Sequence, residues 1–206
     1  QPLAETHDTG TAYFESLGLI GGSTGMVPLI TASTTIPAFD DYDGTAVTIT
    51  DSVAKSGAGA GTTWWGWDLA SSITKGLIIA YSHTYSNHTG VGFHTSTLPA
   101  SGASAAYISR LANGGSVLLY GYGGGGNIAE DTTIYPPHDA FSPVMGQALY
   151  VDGSSNIQKT WVKSGTSQWF QVLSGTDSSH TSFQSCFLQS NGAHARFITP
   201  IMVWGA

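Results

Sequence analysis

Residues 148–173 contain three apolar segments, Ala148-Leu-Tyr-Val151, Ile157-Gln-Lys-Thr-Trp-Val-Lys163 and Gln168-Trp-Phe-Gln-Val-Leu173, each followed by a short polar turn. Two more segments follow, Thr181-Ser-Phe-Gln-Ser-Cys-Phe-Leu-Gln189 and Arg196-Phe-Ile-Thr-Pro-Ile-Met-Val-Trp204. The turns are built from glycine, serine, threonine, asparagine and aspartate, and no helix signal interrupts the series. Short strand-like segments at this spacing indicate an all-β sandwich or barrel.

The same pattern extends towards the N-terminus. Strands are predicted within 42–50, at 75–81, 91–95 and 105–111, and at 116–120. Two segments are predicted as loops, the glycine-rich Ser56–Thr62 and Asn127–Pro143, which is the longest part without strand character. Long loops on a rigid sandwich are where binding residues are usually found.

The first 35 residues differ from the rest of the chain. Gln1–Gly10 is polar, Tyr13–Ile20 is a short apolar stretch, and Met26–Thr31 suits a strand that Pro28 places at a sheet edge. We predict that residues 1–35 form an arm, which either completes the sandwich or docks on another subunit. Residues 36–206 are predicted to form the β-sandwich.

The charge content excludes several classes of partner. Only 9% of the 206 residues are charged, and six Lys and Arg against thirteen Asp and Glu give a net charge of −7 without a basic cluster. Nucleic-acid binding and attachment to an anionic membrane both depend on Lys and Arg, so neither is expected. No apolar run approaches the roughly 20 residues of a membrane span.

The sole cysteine, Cys186, excludes an intrachain disulfide and a cysteine zinc site. Its place between two phenylalanines predicts a small buried core residue.

Two glycine-rich motifs match catalytic or cofactor patterns in letters only. Gly21-Gly-Ser23-Thr-Gly25 fits a nucleophile elbow, and Gly121-Tyr-Gly-Gly-Gly-Gly126 fits a dinucleotide fingerprint. Both patterns require a helix to follow, and neither is followed by a helix-forming sequence. We interpret both as glycine-rich turns or loops.

Acidic and histidine residues give a weak indication of metal binding. Asp40, Asp41 and Asp43 lie beside a glycine, as in a fragment of a calcium loop, and a solvated acidic turn is the alternative. His88 and His94 have equal parity and should share a strand face, whereas His83 should point the other way. We interpret the histidines as polar loop residues, with a metal at a subunit contact as the alternative. No cofactor is expected, and calcium at the aspartates is the alternative.

Carboxylates suited to glycoside hydrolysis are scarce. The chain has three glutamates, and Glu130 and Asp131 are adjacent, so their side chains should project to opposite sides of a strand. We do not expect an enzyme.

Aromatic residues suit contact with a glycan or a protein partner, because sugar rings stack on aromatic faces. Adjacent Trp64 and Trp65 cannot both face inward on a regular strand, so we expect one of them to be exposed or at an interface. Trp161, Trp169 and Trp204 lie on strand-like segments and suit the core. The candidate contact residues are Trp64, Trp65, Tyr122, Asn127, Tyr135, His138 and Asp139.

The C-terminal block resembles a known family. The residues that carry the resemblance are Leu149-Tyr-Val-Asp-Gly153, Trp161-Val-Lys163, Gln168–Leu173, Asp177, Thr181-Ser-Phe183 and Arg196–Gly205. They resemble the concanavalin A-like (lectin/glucanase, laminin-G-like) jelly rolls of tailed-phage virion proteins, over residues 145–206 and more loosely from residue 36. The resemblance implies two antiparallel sheets with a concave face. The metal-binding pattern of legume lectins and the catalytic carboxylates of glucanases are absent.

These observations lead us to expect a non-enzymatic protein of the phage virion surface, in capsid decoration or in a head or tail fibre. It would be extracellular and would form a homo-oligomer that contacts other virion proteins. The alternative is a carbohydrate-binding module or host-glycan adhesin that contacts a cell-surface glycan. A polysaccharide depolymerase is a third hypothesis.

Overall fold

The computed structural model describes residues 7–43, 47–50, 53–56, 62–83, 88–98, 106–112, 117–122, 126–132, 144–164, 168–191 and 196–206. At positions 41–43, 55–56, 106 and 122 it describes the backbone alone. Strands dominate this part of the chain, which confirms the all-β prediction. No helix among the described residues is long and apolar enough to cross a membrane.

The elements follow one another as one short helix and fifteen strands within the described residues. They are α1 Thr11–Ser16, β1 Val27–Ala32, β2 Asp41–Asp43, β3 Val47–Thr50, β4 Val53–Ser56, β5 Thr62–Ile73, β6 Lys75–His83, β7 His88–His94, β8 Ala106–Ala112, β9 Val117–Tyr122, β10 Gly126–Asp131, β11 Met145–Asp152, β12 Ile157–Ser164, β13 Phe170–Thr176, β14 Phe183–Asn191 and β15 Arg196–Gly205.

The strands form two antiparallel sheets, as predicted. The eight-stranded sheet has the order β13-β12-β11-β6-β15-β4-β3, with β1 also paired to β15, and the seven-stranded sheet has the order β10-β9-β8-β7-β14-β5-β2. Alternate residues of each strand face the opposite sheet, so the main core lies between the two layers. Trp65 and Phe197 meet across it with their ring centroids 6.3 Å apart. Cys186 is buried in this core, as predicted.

A second apolar cluster lies on the other face of the eight-stranded sheet, where the N-terminal segment packs. Phe14 of α1 is fully buried there, against Trp161 at 5.3 Å and Trp169 at 5.5 Å between ring centroids. Trp204 belongs to the same cluster, so the three tryptophans expected in the core are buried, although beneath the N-terminal segment. Residues of the predicted arm therefore lie on their own domain. The boundary at residue 35 stays a prediction.

Several elements differ from the sequence-based expectation. The short strands β2 and β4 were not predicted. The helix α1 was not predicted, because six residues without a side-chain cap give no helix signal. The strand β10 occupies the start of the segment predicted as a loop, and it pairs with β9 through a register shift between Asn127 and Ala129. Its partly exposed, bulged and polar sequence hides the alternation that identifies a strand.

The motif Gly21–Gly25 forms a turn, as predicted, and contains no nucleophile elbow. Gly21 and Gly25 both have positive φ angles, and the Thr24 N–H donates to the Gly21 carbonyl at 3.0 Å. The extended strand β1 follows instead of a helix. The predicted loop at 56–62 lies largely outside the described residues.

Candidate functional site

We call the face of the seven-stranded sheet that is turned away from the eight-stranded sheet the outer face. Along the strands of this sheet, alternate residues belong to the core between the sheets. The residues between them therefore lie on the outer face. In β8, for example, Tyr107 and Leu111 face the core, whereas Ile108 and Arg110 face outward. The register of the sheet then places the outer-face residues side by side. They are Trp64 on β5, Gln189 and Phe187 on β14, His88, Gly90, Gly92 and His94 on β7, Ile108 and Arg110 on β8, Leu118 and Tyr120 on β9, and Asn127 on β10.

One half of the outer face is apolar and covered. Trp64, Ile108 and Phe187 form a buried cluster, with the Trp64 and Phe187 ring centroids 4.7 Å apart. His94 lies against the same phenylalanine at 4.4 Å. The segment that follows β7 covers part of this half, because Leu98 packs towards it and its N–H donates to the Asp68 carboxylate at 2.8 Å.

This cover corrects the expectation that one of two adjacent tryptophans would be exposed. Trp64 is 3% exposed and Trp65 is fully buried. The two side chains do point to opposite faces of the sheet, as predicted. Both faces are buried at this position, however, so neither ring is presented to solvent for contact with a glycan or partner.

Glycine at two outer-face positions allows this close packing. A Cβ at Gly92 would lie 2.2 Å from Phe187 Cζ and 2.5 Å from the Tyr107 carbonyl oxygen. A Cβ at Gly66 would lie 2.2 Å from the Cys186 carbonyl oxygen. Side chains at either position would displace the Phe187 ring or the neighbouring backbone, so the sheet requires glycine there.

The other half of the outer face is polar and partly exposed. Arg110 lies over the Tyr120 ring, with its Cζ 5.6 Å from the ring centroid, and both side chains are half-buried. Arg110 Nε donates to Gln189 Oε1 at 3.0 Å, which fixes the direction of the guanidinium. Gln189 Nε2 and His88 Nε2 are buried atoms for which the described residues supply no hydrogen-bond partner. We call Tyr120, Arg110, Gln189 and His88 the polar cluster.

Such atoms are unusual, because buried polar groups in native proteins nearly always have partners. The Gln189 side chain is completely buried, so bulk solvent does not satisfy its amide. Water or a ligand hydroxyl in the polar cluster would satisfy both atoms. This sheet face therefore combines an aromatic ring, a cation and unsatisfied polar groups. Such a combination suits a polar ligand that has an apolar side.

The electrostatics of the polar cluster keep His88 neutral near pH 7. Burial lowers the pKa of His88 to about 4, and the positive charge of Arg110 contributes in the same direction. Burial also lowers the pKa of the Arg110 guanidinium, which the neighbouring Tyr120 opposes. At neutral pH the cluster therefore contains one fixed cation beside a neutral imidazole.

We expect the low pKa of His88 to make folding less favourable in mild acid. An unfolded histidine titrates near 6.5, so as the pH falls from there towards 4 the unfolded chain takes up a proton that folded His88 does not. The folded state should lose on the order of 1 kcal/mol from this residue between pH 7 and pH 5. Urea unfolding at both pH values should show a smaller loss for His88→Gln. Equal losses in both proteins would contradict the assignment.

The structure brings only part of the predicted contact set to this region. Asn127 is exposed on β10 directly opposite Tyr120, and its Nδ2 donates to Glu130 Oε2 at 3.2 Å. Tyr122 ends β9, and its side chain lies outside the described residues. The remaining predicted contacts, Tyr135, His138 and Asp139, also lie outside them.

The predicted calcium residues are also only partly described. Asp40 Oδ2 accepts a hydrogen bond from the Asp68 N–H of β5 at 2.7 Å, so this carboxylate already has a partner in the sheet. Asp41 and Asp43 form β2 beside β5, and their side chains lie outside the described residues. Among the residues whose side chains are described, no three histidines, cysteines or carboxylates are grouped to hold a metal. The aspartate site stays a prediction.

His88 and His94 share the outer face of β7, as predicted from parity. His83 ends β6 in the other sheet, so the parity of β7 says nothing about its direction. His88 and His94 nevertheless lie at opposite ends of β7, about 20 Å apart at the usual rise of a strand. They cannot bind one metal ion together.

Three residues of the site were missed from the sequence: Tyr120, Arg110 and Gln189. Each lies on a predicted strand, where the alternation of faces was visible, but the pairing of the strands was not. His88 was considered only as a metal ligand, and it lies three residues before the predicted strand at 91–95. The hydrophobic series Val117, Leu119 and Leu111 does mark the core face of β8 and β9. It would have placed Tyr120 and Arg110 on the outer face had the register been available.

Comparisons of the fold with known proteins agree with this architecture. The basic winged bean lectin with Tn-antigen superposes with a TM-score of 0.64 at 5% identity, over 88% of this chain and 98% of the lectin. The VIP36 exoplasmic/lumenal domain in its Ca²⁺/Man3GlcNAc-bound form gives 0.63 at 7% identity, over 85% and 88%. The carbohydrate-binding module CBM66 from Bacillus subtilis gives 0.59 at 12% identity, over 80% and 96%.

Neither a protein-family model nor a curated protein matches the sequence. At 12% identity or less, the likeness is one of fold. The chain is a lectin-like jelly-roll β-sandwich, similar in architecture to legume lectins and to a carbohydrate-binding module.

Proposed function

We propose that this protein is a non-catalytic carbohydrate-binding protein that binds glycan on the outer face of the seven-stranded sheet, at the polar cluster. The observation that carries the proposal is the half-exposed Tyr120–Arg110 pair above a buried Gln189 amide with an unpartnered Nε2. The likeness of the fold to sugar-bound lectins supports it.

Each member of the polar cluster has a part in the proposed binding. The Tyr120 ring offers an apolar surface for the C–H face of a sugar, while Arg110 donates to its hydroxyl or ring oxygens. Gln189 acts as a positioning residue, because its Oε1 accepts from Arg110 Nε. Asn127, exposed across from Tyr120, can extend the contacts along the edge strand β10.

The proposed sugar binding does not require calcium. The VIP36 domain is calcium-bound in the structures that resemble this chain. Of the three aspartates predicted to bind calcium, only Asp40 has a described side chain, and its carboxylate already accepts a backbone hydrogen bond. Sugar binding at the polar cluster therefore rests on side-chain and aromatic contacts, and we expect it to persist in the presence of a chelator.

The virion-surface hypothesis remains the second proposal for where such a protein acts. It rests on the low charge and on the family resemblance, and a glycan-binding surface protein is compatible with an extracellular setting. The argument from an anchoring arm is weaker, because residues of the N-terminal segment pack on the eight-stranded sheet of their own chain. Homo-oligomer formation remains a proposal.

The test is a glycan-array screen followed by calorimetry of the best glycan. We expect at least one class of glycan to bind, and Tyr120→Ala to weaken binding by about tenfold or more, which corresponds to about 1.4 kcal/mol. Tyr120→Phe is the matched control, since it keeps the ring and should retain most of the affinity.

Two results would overturn the proposal. One is an array without any bound glycan, and the other is equal affinity of Tyr120→Ala and the unchanged protein. Release of reducing ends from a bound polysaccharide, lost in Glu130→Gln, would instead favour the depolymerase hypothesis.

A further inference from the structure

A cavity of about 560 Å³ lies on the opposite side of the sandwich, between the N-terminal segment and the end of β12. Residues 8–13 form one wall, and Lys163, Gln168 and Trp169 form the other. The volume is within the range of small-molecule sites. The cavity shares no residue with the polar cluster on the outer face.

Asp8 and Lys163 form a charged pair at the cavity wall. The Lys163 side chain is 8% exposed and its ammonium donates to Asp8 Oδ2, while the Gly10 N–H donates to Asp8 Oδ1 at 2.7 Å. The Tyr81 hydroxyl donates to the Asp8 backbone carbonyl at 2.9 Å, so the backbone of Asp8 is also held in place. Partial burial opposes ionisation of Asp8, but the hydrogen bonds and the charge of Lys163 outweigh it, and the pKa of the carboxyl is lowered.

The pair leaves hydrogen-bonding capacity facing the cavity. An ammonium group has three N–H donors, and among the described residues Lys163 uses one of them, on Asp8. The carboxylate of Asp8 is itself 56% exposed and has lone pairs in excess of its donors. Because the two charges neutralise each other, a strongly charged ligand gains little, whereas a group that both donates and accepts is well matched.

The remaining walls are aromatic and neutral. Trp169 and Tyr13 line the cavity, and Gln168 is exposed at its edge. Trp169 is held by Phe14 and by Lys163, whose Nζ lies 5.9 Å from the ring centroid. Tyr13 is partly exposed and suits the C–H face of a sugar ring, whereas Trp169 is 5% exposed and has little surface for stacking. The adjacent donor and acceptor suit two neighbouring hydroxyls.

We propose that this cavity is a second binding site, which takes a neutral saccharide unit with two adjacent hydroxyls held by Lys163 and Asp8. The saccharide ring lies against the partly exposed Tyr13, close enough for Trp169 to report on its binding, and Gln168 bonds a further hydroxyl. With two sites on opposite faces of one sandwich, a single chain can bind two glycan chains at once. The second site does not depend on binding at the outer face.

The experiment uses the full chain labelled with fluorotryptophan and followed by fluorine NMR. The Trp169 resonance is assigned from its loss in Trp169→Phe. The probes are the methyl glycosides of glucose, galactose, mannose and N-acetylglucosamine. With at least one of them, we expect a saturable shift of the Trp169 resonance with a midpoint on the order of 1–10 mM, as for weak small-ligand sites.

Variants separate the two sites. Gln168→Ala changes an exposed side chain and should weaken the midpoint about three- to tenfold, equivalent to about 0.6–1.4 kcal/mol. Lys163→Met should abolish the shift. Tyr120→Ala, on the outer face, should leave it unchanged.

The absence of a Trp169 shift with all four glycosides would overturn the second site, even if the array shows binding at the outer face. A shift that is unaffected by both Gln168→Ala and Lys163→Met would also overturn it. Should Lys163→Met fail to fold, Gln168→Ala alone decides the outcome, because its side chain is exposed.

Discussion

Replacing Phe14 by alanine is expected to lower the free energy of unfolding by about 3–5 kcal/mol, the usual cost of removing a large buried aromatic side chain. Phe14 is fully buried in a six-residue helix that has no side-chain cap. A helix this short is not stable by itself, so its position depends on contacts such as those with Trp161 and Trp169. Losing them should release the N-terminal segment from the eight-stranded sheet.

Urea unfolding followed by tryptophan fluorescence measures this effect, because the released segment exposes Trp161 and Trp169. Leu17→Ala is the matched control, since Leu17 caps the same helix but is 45% exposed. It should change the free energy of unfolding by less than about 0.5 kcal/mol, as surface substitutions usually do. Equal effects of the two substitutions would show that the segment does not pack on this sheet.

Trp65→Ala is expected to have a comparable effect, again about 3–5 kcal/mol. Trp65 is fully buried between the sheets, where its ring meets Phe197 of β15 edge-on, with an angle of 80° between the ring planes. Phe39 packs on the same side at 6.4 Å. Removing the indole leaves a cavity between the two layers, which could close only if the two hydrogen-bonded sheets moved towards each other.

The same substitution separates a structural role from a binding role. Trp65→Phe fills most of the space and should restore most of the stability. Calorimetry on folded Trp65→Phe should give the glycan affinity of the unchanged protein, because the side chain does not reach the outer face. A stable Trp65→Phe that no longer binds glycan would show that Trp65 has a role in binding which its burial does not explain.

The C-terminal strands were predictable because their sequence alternates and their turns are well marked. β12, for instance, begins at Ile157, at the predicted residue, and ends at Ser164, one residue beyond the prediction. β14 and β15 likewise agree with the predicted segments to within two residues at each end. Local pattern and local structure coincide here, since each strand is long and each turn is built from residues that favour turns.

The N-terminal segment was less predictable because tertiary contacts decide its structure. The sequence left open whether this arm completes its own sandwich or docks elsewhere. The answer lies in Phe14 and in the pairing of β1 with β15, two interactions with residues more than a hundred positions away. Local sequence does not encode such long-range pairings.

The candidate site was only partly predictable, for a related reason. Of the predicted contact residues, Asn127 is exposed opposite Tyr120, but on a strand and not in a loop, and the two tryptophans are buried. Tyr120, Arg110 and Gln189 come together only through the order β9-β8-β7-β14. That order brings residues from distant parts of the chain side by side, and parity alone cannot supply it.

Chemical-shift mapping can show directly whether glycan binds to the polar half of the outer face. The isotope-labelled protein is titrated with the best glycan from the array, and backbone amide shifts are followed. We expect the largest shifts to cluster on β8, β9 and β10, around Arg110, Tyr120 and Asn127. Shifts confined to the eight-stranded sheet, or spread evenly over both sheets, would contradict it.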